Sequence, residues 1–468
     1  MAKQYDYSEI FESIKKVVPS SVQIYLVGGA VRDIILGKKV RDFDFVIEGL
    51  VRPVGRNLAN ELNGKFYVLD DDRNMVRVLL NADSDEYYCI DISQLNGSTL
   101  EEDLYSRDFT INAIAIDFIQ KNKFIDPMGG VSDLKEKKLR MCNLESIKSD
   151  PLRGMRAIRM AVDYDLTMDS DLIHALNEIR PFLSVASVER YRDELFKILD
   201  GEKTVTAVRL LDKYAFLDFL FPGKNPTNDE ALYDWLRSAE HLINILAREF
   251  REDESSNLIS GMAVLKLGSF RDQLNEFFYH DNNLIHERRS LLIFSIIARF
   301  YRTEENSRSV SEILKSRSKK MLLSTAEMKL IIKSYEAFME LHSLFNLEEY
   351  SDVVIYRYFQ KFGDYGIDGI FLKLIETHIN KDILRDSALW TKVLDHAARY
   401  FDAWFNHFDT IIKPKPLLSG DQISKLFNIP AGPEIGELKN AILEAQIENL
   451  ITDREGAIKF TRNLIESS

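Results

Sequence analysis

The sequence predicts an α+β protein in which a mixed sheet with its own helices comes first and a long all-helical region follows. Short runs rich in β-branched and aromatic residues alternate with helical spacing between residues 21 and 118, as in VQIYLV, DFDFVIE and YYCIDI. After Asp150 the apolar residues recur with a helical period, as in RGMRAIRMAV and VERYRDELFKIL. The stretch Lys413–Pro416 interrupts this pattern and predicts a turn before a terminal helical unit.

The composition is that of a globular chain of several domains. The chain has 468 residues, 45% of them hydrophobic, and a net charge of −13, so a large core is expected. The acidic total alone argues against a nucleic-acid partner, because phosphates are bound mainly by Lys and Arg. A local basic cluster at 315–320 weakens that argument, although such a run is equally typical of a solvated helix end.

The cellular setting is predicted from cysteines and hydropathy. Cys89 and Cys142 lie far apart in apolar surroundings, which suits a reducing cytoplasm and gives neither a catalytic role. The first residues lack the apolar core of a signal peptide, and no apolar run approaches the ~20 residues that cross a bilayer. We therefore expect a cytoplasmic protein without a membrane segment.

The segment DFDF holds two carboxylates one residue apart. Side chains alternate along a strand, so Asp42 and Asp44 are expected on one face and Phe43 and Phe45 on the other. Two unpaired carboxylates side by side need water or cations. Such a pair suits two divalent ions about 3.5 to 4 Å apart, the arrangement used for in-line phosphoryl or nucleotidyl displacement. Asp91, on another predicted strand, is a candidate third ligand; alternating Asp on an exposed strand is the simpler alternative.

A glycine pair precedes this strand. Gly28 and Gly29 follow the run VQIYLV and precede a predicted helix, so their N–H groups and the helix start are candidates for cradling a triphosphate. A glycine turn alone is equally consistent with tight packing. The close succession of strand, glycine pair, helix and DFDF strand is more specific than any one of its parts.

Four segments together resemble a known family. They are LVGGAVRDIILGKKVRDFDF, the run Asp103–Ala113 followed by IDPMGGVSDLKEKKLR, the run Asp150–Arg153 with GMRAIRMAV, and VERYRDELFKIL. Taken in this order over residues 20 to 200, they resemble class II tRNA nucleotidyltransferases and bacterial poly(A) polymerases of the DNA polymerase β superfamily. The resemblance implies a polymerase-β-like nucleotidyltransferase head, two Mg²⁺ ions and the substrates ATP and CTP.

The second segment supplies groups for the sugar and phosphates. Arg107 is suited to neutralise triphosphate oxygens, and Asp108 and Asn112 are candidates for ribose hydroxyls. The simpler alternative is an ion pair of Arg107 with an acid such as Asp103. Ser106 departs from the family pattern, in which a second basic residue is usual. Arg32, in the first segment, is a further candidate nucleotide contact.

The third segment is where a base would be chosen. On a helix, Asp150 and Arg153 lie three apart and would project from one face, offering an acceptor and a donor. Cytosine and adenine fit that pattern, whereas uracil and guanine place a carbonyl against the carboxylate. An ordinary salt bridge worth about 0.2 to 0.5 kcal/mol is the alternative. Arg156 and Arg159 continue the helix and would contact triphosphate or primer, or merely face solvent. Ser149 departs from the family pattern, in which Glu is usual at this position.

The remaining segments are assigned mainly structural roles. In VERYRDELFKIL, a mutually paired strip of Glu189, Arg190, Arg192 and Glu194 is expected to support the base-reading helix, as the resemblance suggests. Many relatives carry a His-Asp phosphohydrolase domain next, but Ala298-Arg299 stands at the position of that pair, so we expect this activity to be absent. The predicted RNA contacts are basic: Arg288, Arg289, Lys315, Arg317, Lys319 and Lys320. Gly432-Pro433 marks a helix start, with phosphate binding and an ordinary connection both open.

The predicted domains are a head at 1–140, a neck at 141–205, a body at 206–345 and an RNA-binding tail at 346–468. The expected activity is addition of C, A or both to the 3′ end of tRNA. A poly(A) polymerase shares all four segments, and CCA-, CC- and A-adding enzymes share the head. More distant alternatives are a small-molecule nucleotidyltransferase, which would not need so long a helical region, and a non-enzymatic RNA-binding protein, against which the intact acids argue.

Overall fold

The computed structural model describes residues 7–72, 74–81, 87–117, 123–223, 229–248, 258–281, 283–301, 309–345, 351–380 and 387–467. The chain divides into two compact units, residues 1–219 and 220–468. The first unit holds all the described strands, and the second is helical. The predicted order, a mixed sheet first and helices afterwards, is confirmed.

Nine described strands lie in the first unit. They are β1 Ile24–Val27, β2 Asp42–Ile47, β3 Lys65–Asp70, β4 Met75–Leu80, β5 Tyr88–Gln94, β6 Ala115–Asp117, β7 Lys123–Ile125, β8 Lys138–Leu139 and β9 Thr167–Met168. Six sequence runs rich in β-branched and aromatic residues correspond to β1 to β6: VQIYLV, DFDFVIE, KFYVL, MVRVLL, YYCIDI and AIAIDF. The short strands β7, β8 and β9 were not predicted, because runs of two or three residues carry too little periodicity.

The first unit also holds the helices α1 Tyr7–Val17, α2 Gly29–Ile35, α3 Val51–Glu61, α4 Leu100–Tyr105, α5 Gly130–Lys135, α6 Leu144–Ser149, α7 Leu152–Asp163, α8 Ser170–Asn177, α9 Val188–Leu199 and α10 Thr204–Lys213, with α11 Phe216–Leu220 at its end. Short 3-10 turns occur at Thr110–Asn112 and Arg180–Val185.

The second unit contains the helices α12 Asp229–Ala247, α13 Leu258–Leu267, α14 Arg271–Tyr279, α15 Arg288–Phe300, α16 Val310–Lys320, α17 Thr325–Leu344, α18 Asp352–Phe362, α19 Tyr365–His378, α20 Ser387–Phe405, α21 Gly420–Phe427, α22 Pro433–Ile447 and α23 Arg454–Ser467. A 3-10 turn lies at Gly268–Phe270 and a π-helical turn at Phe408–Ile412. Residues 413–419 are not helical, as the prolines predict.

The seven-stranded sheet places β2 at its centre. Its order is β3-β4-β5-β2-β1-β6-β7, with β2 parallel to β5 and the other neighbours antiparallel. Phe43 and Phe45 are each 1% exposed, and their rings meet Phe11 of α1 edge-on at 6.4 and 6.3 Å between centroids. One face of β2 is therefore core, and the residues between the two phenylalanines face the other way.

The division between the two units, at 219/220, falls inside the predicted body at 206–345, and the four predicted domains stay a prediction. Among the described residues, no helix combines the length and the apolarity that crossing a bilayer requires. Both cysteines are buried and form no disulfide. Burial raises the pKa of each thiol to about 12, which keeps both as unreactive thiols.

Candidate active site

Two carboxylates lie on the open face of β2. Asp42 and Asp44 are both exposed, whereas Phe43 between them is buried. Burial of the cleft around them raises the pKa of both carboxyls, and the nearby charge of Asp91 raises it further. Arg77 and Arg107 partly oppose the shift. The oxygens of the two carboxylates therefore form a local excess of negative charge, which a divalent cation would neutralise.

Asp91 lies next to this pair but is engaged elsewhere. It stands opposite Asp44 in the parallel pairing of β2 and β5. Its two oxygens accept hydrogen bonds of 2.8 Å from Nε and Nη2 of Arg77 on β4. Within the described part of the chain, no group of three or more His, Cys, Asp or Glu side chains is arranged to hold a metal ion. The expectation of Asp91 as a third ligand is thus not met in this geometry, because an arginine takes both of its oxygens.

The glycine pair brings the end of β1 close to these acids. Gly28 has φ 76° and ψ −141° and precedes α2, a conformation that is essentially restricted to glycine. A Cβ at this position would stand 3.2 Å from Nη1 of Arg107 and 3.4 Å from Oδ2 of Asp44. The absence of a side chain at Gly28 therefore lets the guanidinium of Arg107 and the carboxylate of Asp44 approach the same point of the backbone. Gly29 is the first residue of α2.

Arg107 forms the ion pair with Asp103 that was the simpler alternative from the sequence, and its role at phosphates stays a prediction. Its Nε and Nη2 donate to Oδ2 of Asp103 at 3.0 and 2.9 Å, so the structural ion pair exists. Nη1 is directed to the other side, beside Gly28 and Asp44. The ion pair holds the guanidinium in place and leaves one nitrogen near the acids, where a phosphate oxygen would be bound.

Asp108 and Asn112 belong to a buried polar chain. Asn112 donates to Oδ1 of Asp108 at 3.0 Å and accepts from Nη1 of Arg32 at 2.8 Å. Burial would raise the pKa of Asp108, but Arg156, Asn112 and the Phe109 N–H hold it below the usual range. Arg156 lies 2.6 Å from Oδ2 of Asp108. This chain of contacts connects α2 with α7 through the turn at 110–112.

Arg32 and Asn112 are placed as supports in this geometry. Arg32 is 5% exposed and Asn112 is 3% exposed. Arg32 also donates to Asp33 and to the hydroxyl of Tyr164. The polar atoms of these two residues form hydrogen bonds within the protein, so in this structure they position Asp108 and α2. The expected direct nucleotide contact of Arg32 and Asn112 stays a prediction.

A polar cleft of about 410 Å³ lies between α7, α9 and the segment before the 110–112 turn. Its lining combines five cations, four acids and one leucine: Arg107, Asp108, Asp150, Leu152, Arg153, Arg156, Arg190, Asp193, Glu194 and Lys197. A volume of this size falls within the usual range for small-molecule sites. Five of the predicted nucleotide contacts, Arg107, Asp108, Asp150, Arg153 and Arg156, thus lie around one cavity.

Asp150 and Arg153 both line the cleft, but not as neighbours on one helix. Asp150 has φ −136° and ψ 86°, and α7 begins at Leu152. The expected i to i+3 helical pair is therefore wrong, because a residue before proline is driven out of the helical region. Arg153 donates through Nη1 to the carbonyl of Ser106 at 3.1 Å, which fixes its guanidinium at the wall of the cleft.

The helix α9 is tied to this wall by ion pairs. Glu194, 3% exposed, accepts from Nε of Arg159 at 2.7 Å, and Arg190 donates to Asp150 at 2.7 Å. Arg190 and Glu194 thus pair outside α9, whereas mutual pairing within the strip was expected; Arg192 pairs with Asp193 of α9. Arg159 is a support for the wall and is absent from the lining of the cleft.

Three charged cleft residues of α9, besides Glu194, were not expected as nucleotide contacts from the sequence. Arg190 was assigned a structural role, and Asp193 and Lys197 were not singled out. Their helical spacing in VERYRDELFKIL places them on one side of α9, and this spacing was the available signal. Arg77 was also missed, because an arginine at an alternating position of a strand has no distinctive pattern.

The prediction that Arg288 and Arg289 contact RNA is contradicted by their burial. They are 2% and 3% exposed. Arg288 pairs with Asp281, Asp364 and Asp368 at 2.8 to 3.1 Å and stacks over Phe277. A buried guanidinium that is paired with acids cannot reach an RNA backbone, so the RNA-contact hypothesis for these two residues is wrong.

The basic cluster of α16 is divided between two roles. Arg317 donates to the carbonyls of Pro222 and Tyr301, and Lys320 donates to the carbonyl of Leu220 at 3.2 Å. Lys315 and Lys319 are exposed and stay predicted RNA contacts.

At the position of the His-Asp pair, Ala298 is buried and Arg299 stacks over Trp235 at 3.5 Å. The helix α22 begins at Pro433, as the Gly432-Pro433 signal predicts.

Comparison with known proteins finds matches over the parts of the chain that carry these features. A family profile described as "Poly A polymerase head domain" matches residues 24–140, and one described as "Probable RNA and SrmB- binding site of polymerase A" matches residues 165–226. The first match covers the sheet, the glycine pair and both β2 carboxylates.

Individual relatives agree with the profiles. A CC-adding tRNA nucleotidyltransferase of Synechocystis sp. is 28% identical over 95% of this chain and 94% of that protein. A second, from Geobacter sulfurreducens, is 36% identical over 38% of this chain and 40% of that protein. A solved complex of a CCA-adding enzyme with ATP shares the fold with a TM-score of 0.67 and 21% identity, over 98% of this chain and 94% of that one. The chain is a nucleotidyltransferase whose head matches the poly(A) polymerase head family and which is similar over nearly its whole length to a CC-adding tRNA nucleotidyltransferase.

Proposed function

We propose that this protein adds C, A or both to the 3′ end of tRNA, from CTP and ATP, with release of pyrophosphate. The observation that carries the proposal is the position of Arg107, which lies between two sets of groups. One of its nitrogens lies beside Gly28 and Asp44, and its side chain lines the cleft that contains Asp150 and Arg153. A triphosphate at the β2 acids would therefore have its base on the side of Asp150.

The catalytic groups are Asp42 and Asp44. Their shared face, their exposure and the raised pKa of both carboxyls fit a divalent cation. Asp42 and Asp44 would hold two Mg²⁺ ions, which would supply Lewis-acid activation of the 3′ hydroxyl and charge stabilisation at the α-phosphate and the leaving pyrophosphate. The side chains Asp42 and Asp44 supply the ligands; Asp91 stays with Arg77 unless that pair opens.

The other residues bind and orient the nucleotide. Arg107 offers Nη1 to phosphate oxygens beside Gly28, the residue that precedes α2. Asp108, held by Asn112 and Arg156, is the remaining candidate for a ribose hydroxyl. No covalent enzyme intermediate is required, because the RNA hydroxyl itself attacks the α-phosphorus.

Base selection follows from Asp150 and Arg153. The amino group of cytosine or adenine donates to the carboxylate, and a ring nitrogen or carbonyl accepts from the guanidinium. Uracil and guanine would set an oxygen against a carboxylate, a mismatch that costs several kcal/mol in a desolvated site. The protein would thus choose the base without a nucleic-acid template.

One assay tests the proposal directly. Transcripts of tRNA that lack CCA, end in C or end in CC are each incubated with labelled CTP or ATP, beside a generic RNA primer. Extension of tRNA ends by one to three residues supports the proposal, and the pattern separates CCA-, CC- and A-adding activities. The absence of transfer from any nucleotide would overturn it.

A second candidate is a poly(A) polymerase, favoured by the family profile that matches the head. It would use the same acids and the same cleft. Long A tails on the generic primer, with no preference for tRNA ends, would select this candidate.

A further inference from the structure

The contact between Arg190 and Asp150 involves only one of the two carboxylate oxygens. Nη2 of Arg190 donates to Oδ2 of Asp150 at 2.7 Å. Oδ1 is buried, and no described protein group forms a hydrogen bond with it. A buried carboxylate oxygen without a partner is costly, so the side chain would gain by rotating unless something held it.

Neighbouring residues do not hold it. Ser149, directly before Asp150, is exposed and turns its hydroxyl back to the carbonyl of Ser146 at 3.3 Å. Pro151, directly after, has no N–H to donate. Arg153 gives Nη1 to the carbonyl of Ser106. Among the described residues, Arg190 is the one with a hydrogen bond to the carboxylate of Asp150.

Arg190 is itself well placed to act on this carboxylate. It lies in the first turn of α9, on the wall of the cleft, with 51% of its side chain exposed. One turn further, the pair of Glu194 with Arg159 ties α9 to α7. Tyr191, fully buried, donates to the carbonyl of Leu183 at 2.7 Å. The backbone that carries Arg190 is therefore fixed relative to the cleft.

We propose that Arg190 is a specificity-determining positioning residue, which fixes the orientation of the Asp150 carboxylate and presents Oδ2 to the base. This inference rests on the proposed function. A carboxylate oxygen has two lone pairs, so Oδ2 accepts from Arg190 with one and keeps the other for the amino group of cytosine or adenine. Because the oxygen is held, it cannot turn away from the carbonyl of uracil or guanine, and the mismatch keeps its full cost.

The test compares Arg190→Gln and Arg190→Lys with the wild type, using kcat and KM for all four nucleoside triphosphates on tRNA ends. For Arg190→Gln we expect the KM of the cognate nucleotide to rise about 10-fold and the preference over UTP and GTP to fall by at least about 10-fold. Arg190→Lys restores part of the preference, because it keeps a cation at Asp150. Arg237→Gln is the matched control: Arg237 is 45% exposed and pairs with Glu230 at 2.7 Å on α12.

A double-mutant cycle separates positioning from support. In an Asp150→Asn background, Arg190→Gln should leave the base preference unchanged, because Arg190 acts through the carboxylate. An equal loss of kcat/KM for all four nucleotides, with the preference unchanged, would overturn the inference and make Arg190 a support of the fold only. A lower KM for the cognate nucleotide would also overturn it, since Arg190 would then be a competitor for Asp150. If the wild type transfers no nucleotide at all, the proposed function fails first.

Discussion

Asp44 and Asp91 stand opposite each other on the parallel strands β2 and β5, yet they face different partners. Asp91 is bound by Arg77 through both oxygens at 2.8 Å. Asp44 lies beside Gly28 and the guanidinium of Arg107. The sheet thus brings the carboxylates of Asp44 and Asp91 together, and Arg77 neutralises that of Asp91. The excess negative charge therefore lies on Asp42 and Asp44.

Replacing Asp44 with Asn is expected to stabilise the fold and abolish the chemistry. Burial raises the pKa of this carboxyl, so the ionised form opposes folding at neutral pH. In EDTA at pH 7.5, Asp44→Asn should melt at a higher temperature than the wild type, while nucleotide transfer falls by more than about 100-fold. The gain in melting temperature should shrink as the pH falls through the raised pKa, because the wild-type carboxyl then becomes neutral as well. A lower melting temperature at pH 7.5 would contradict this account of Asp44.

Gly28→Ala is expected to impair transfer and also to lower stability, because the backbone conformation of Gly28 is essentially restricted to glycine. The new Cβ would stand 3.2 Å from Nη1 of Arg107 and 3.4 Å from Oδ2 of Asp44, so both groups must move from the nucleotide site. We expect kcat/KM to fall by about 10- to 100-fold, since small misplacements of reacting groups cost about that much. Gly37→Ala is the control: Gly37 also has positive φ, 67°, but nothing lies within 4 Å of its Cβ position. Equal losses of activity in both variants would show that backbone strain, and not the Gly28 contacts, is responsible.

Replacing Arg288 is expected to lower the stability of the fold and not to affect RNA binding directly. Asp368 is fully buried and pairs with Arg288, so Arg288→Met would leave a buried carboxylate without its cation. The free energy of unfolding should fall by about 3 to 5 kcal/mol, measured by denaturant titration. Lys315→Met, on the exposed side of α16, should stay within about 0.5 kcal/mol of the wild type. If Arg288→Met kept its stability and lost only RNA binding, the burial argument would be wrong.

His378 is expected to make the second unit sensitive to acid. Burial, together with the nearby His241, lowers the pKa of His378 to about 4. The two rings stack at 5.6 Å, and Ser238 lies 3.0 Å from Nδ1 of His378. The neutral imidazole supports the fold fully above its ordinary value of 6.5, and this support is lost as the pH falls from 6.5 towards 4, on the order of 2 to 3 kcal/mol.

The measurement is the pH dependence of the unfolding free energy between pH 7 and 4.5. His378→Gln should reduce the slope by about half, because His396, whose pKa burial also lowers to about 4, still contributes. A slope identical to that of the wild type would exclude His378 as a source of the acid sensitivity.

The sheet and the acid pair could be predicted because their signals are local. A strand period of two decides that Asp42 and Asp44 share a face, and glycine at 28 indicates a special backbone. The charge of Arg288 does not indicate whether its side chain is buried or exposed. The apolar continuation RSLLIFSIIA is the sequence signal that α15 is buried on all sides. The pairing of Arg190 with Asp150 depends on how α9 packs against α7, which no sequence period encodes. The helix start at Leu152 agrees with Pro151, because the residue before a proline is disfavoured in a helix.

The central claim is that Asp42 and Asp44 carry out the transfer. The most direct measurement is single-turnover incorporation of labelled CTP or ATP into tRNA by Asp42→Ala, with tRNA affinity measured in parallel. Asp72→Ala, at an exposed turn after β3, is the control. We predict that Asp42→Ala loses incorporation while its tRNA affinity stays within about 2-fold of the wild type, and that Asp72→Ala retains both. Turnover by Asp42→Ala at the wild-type rate would contradict the account.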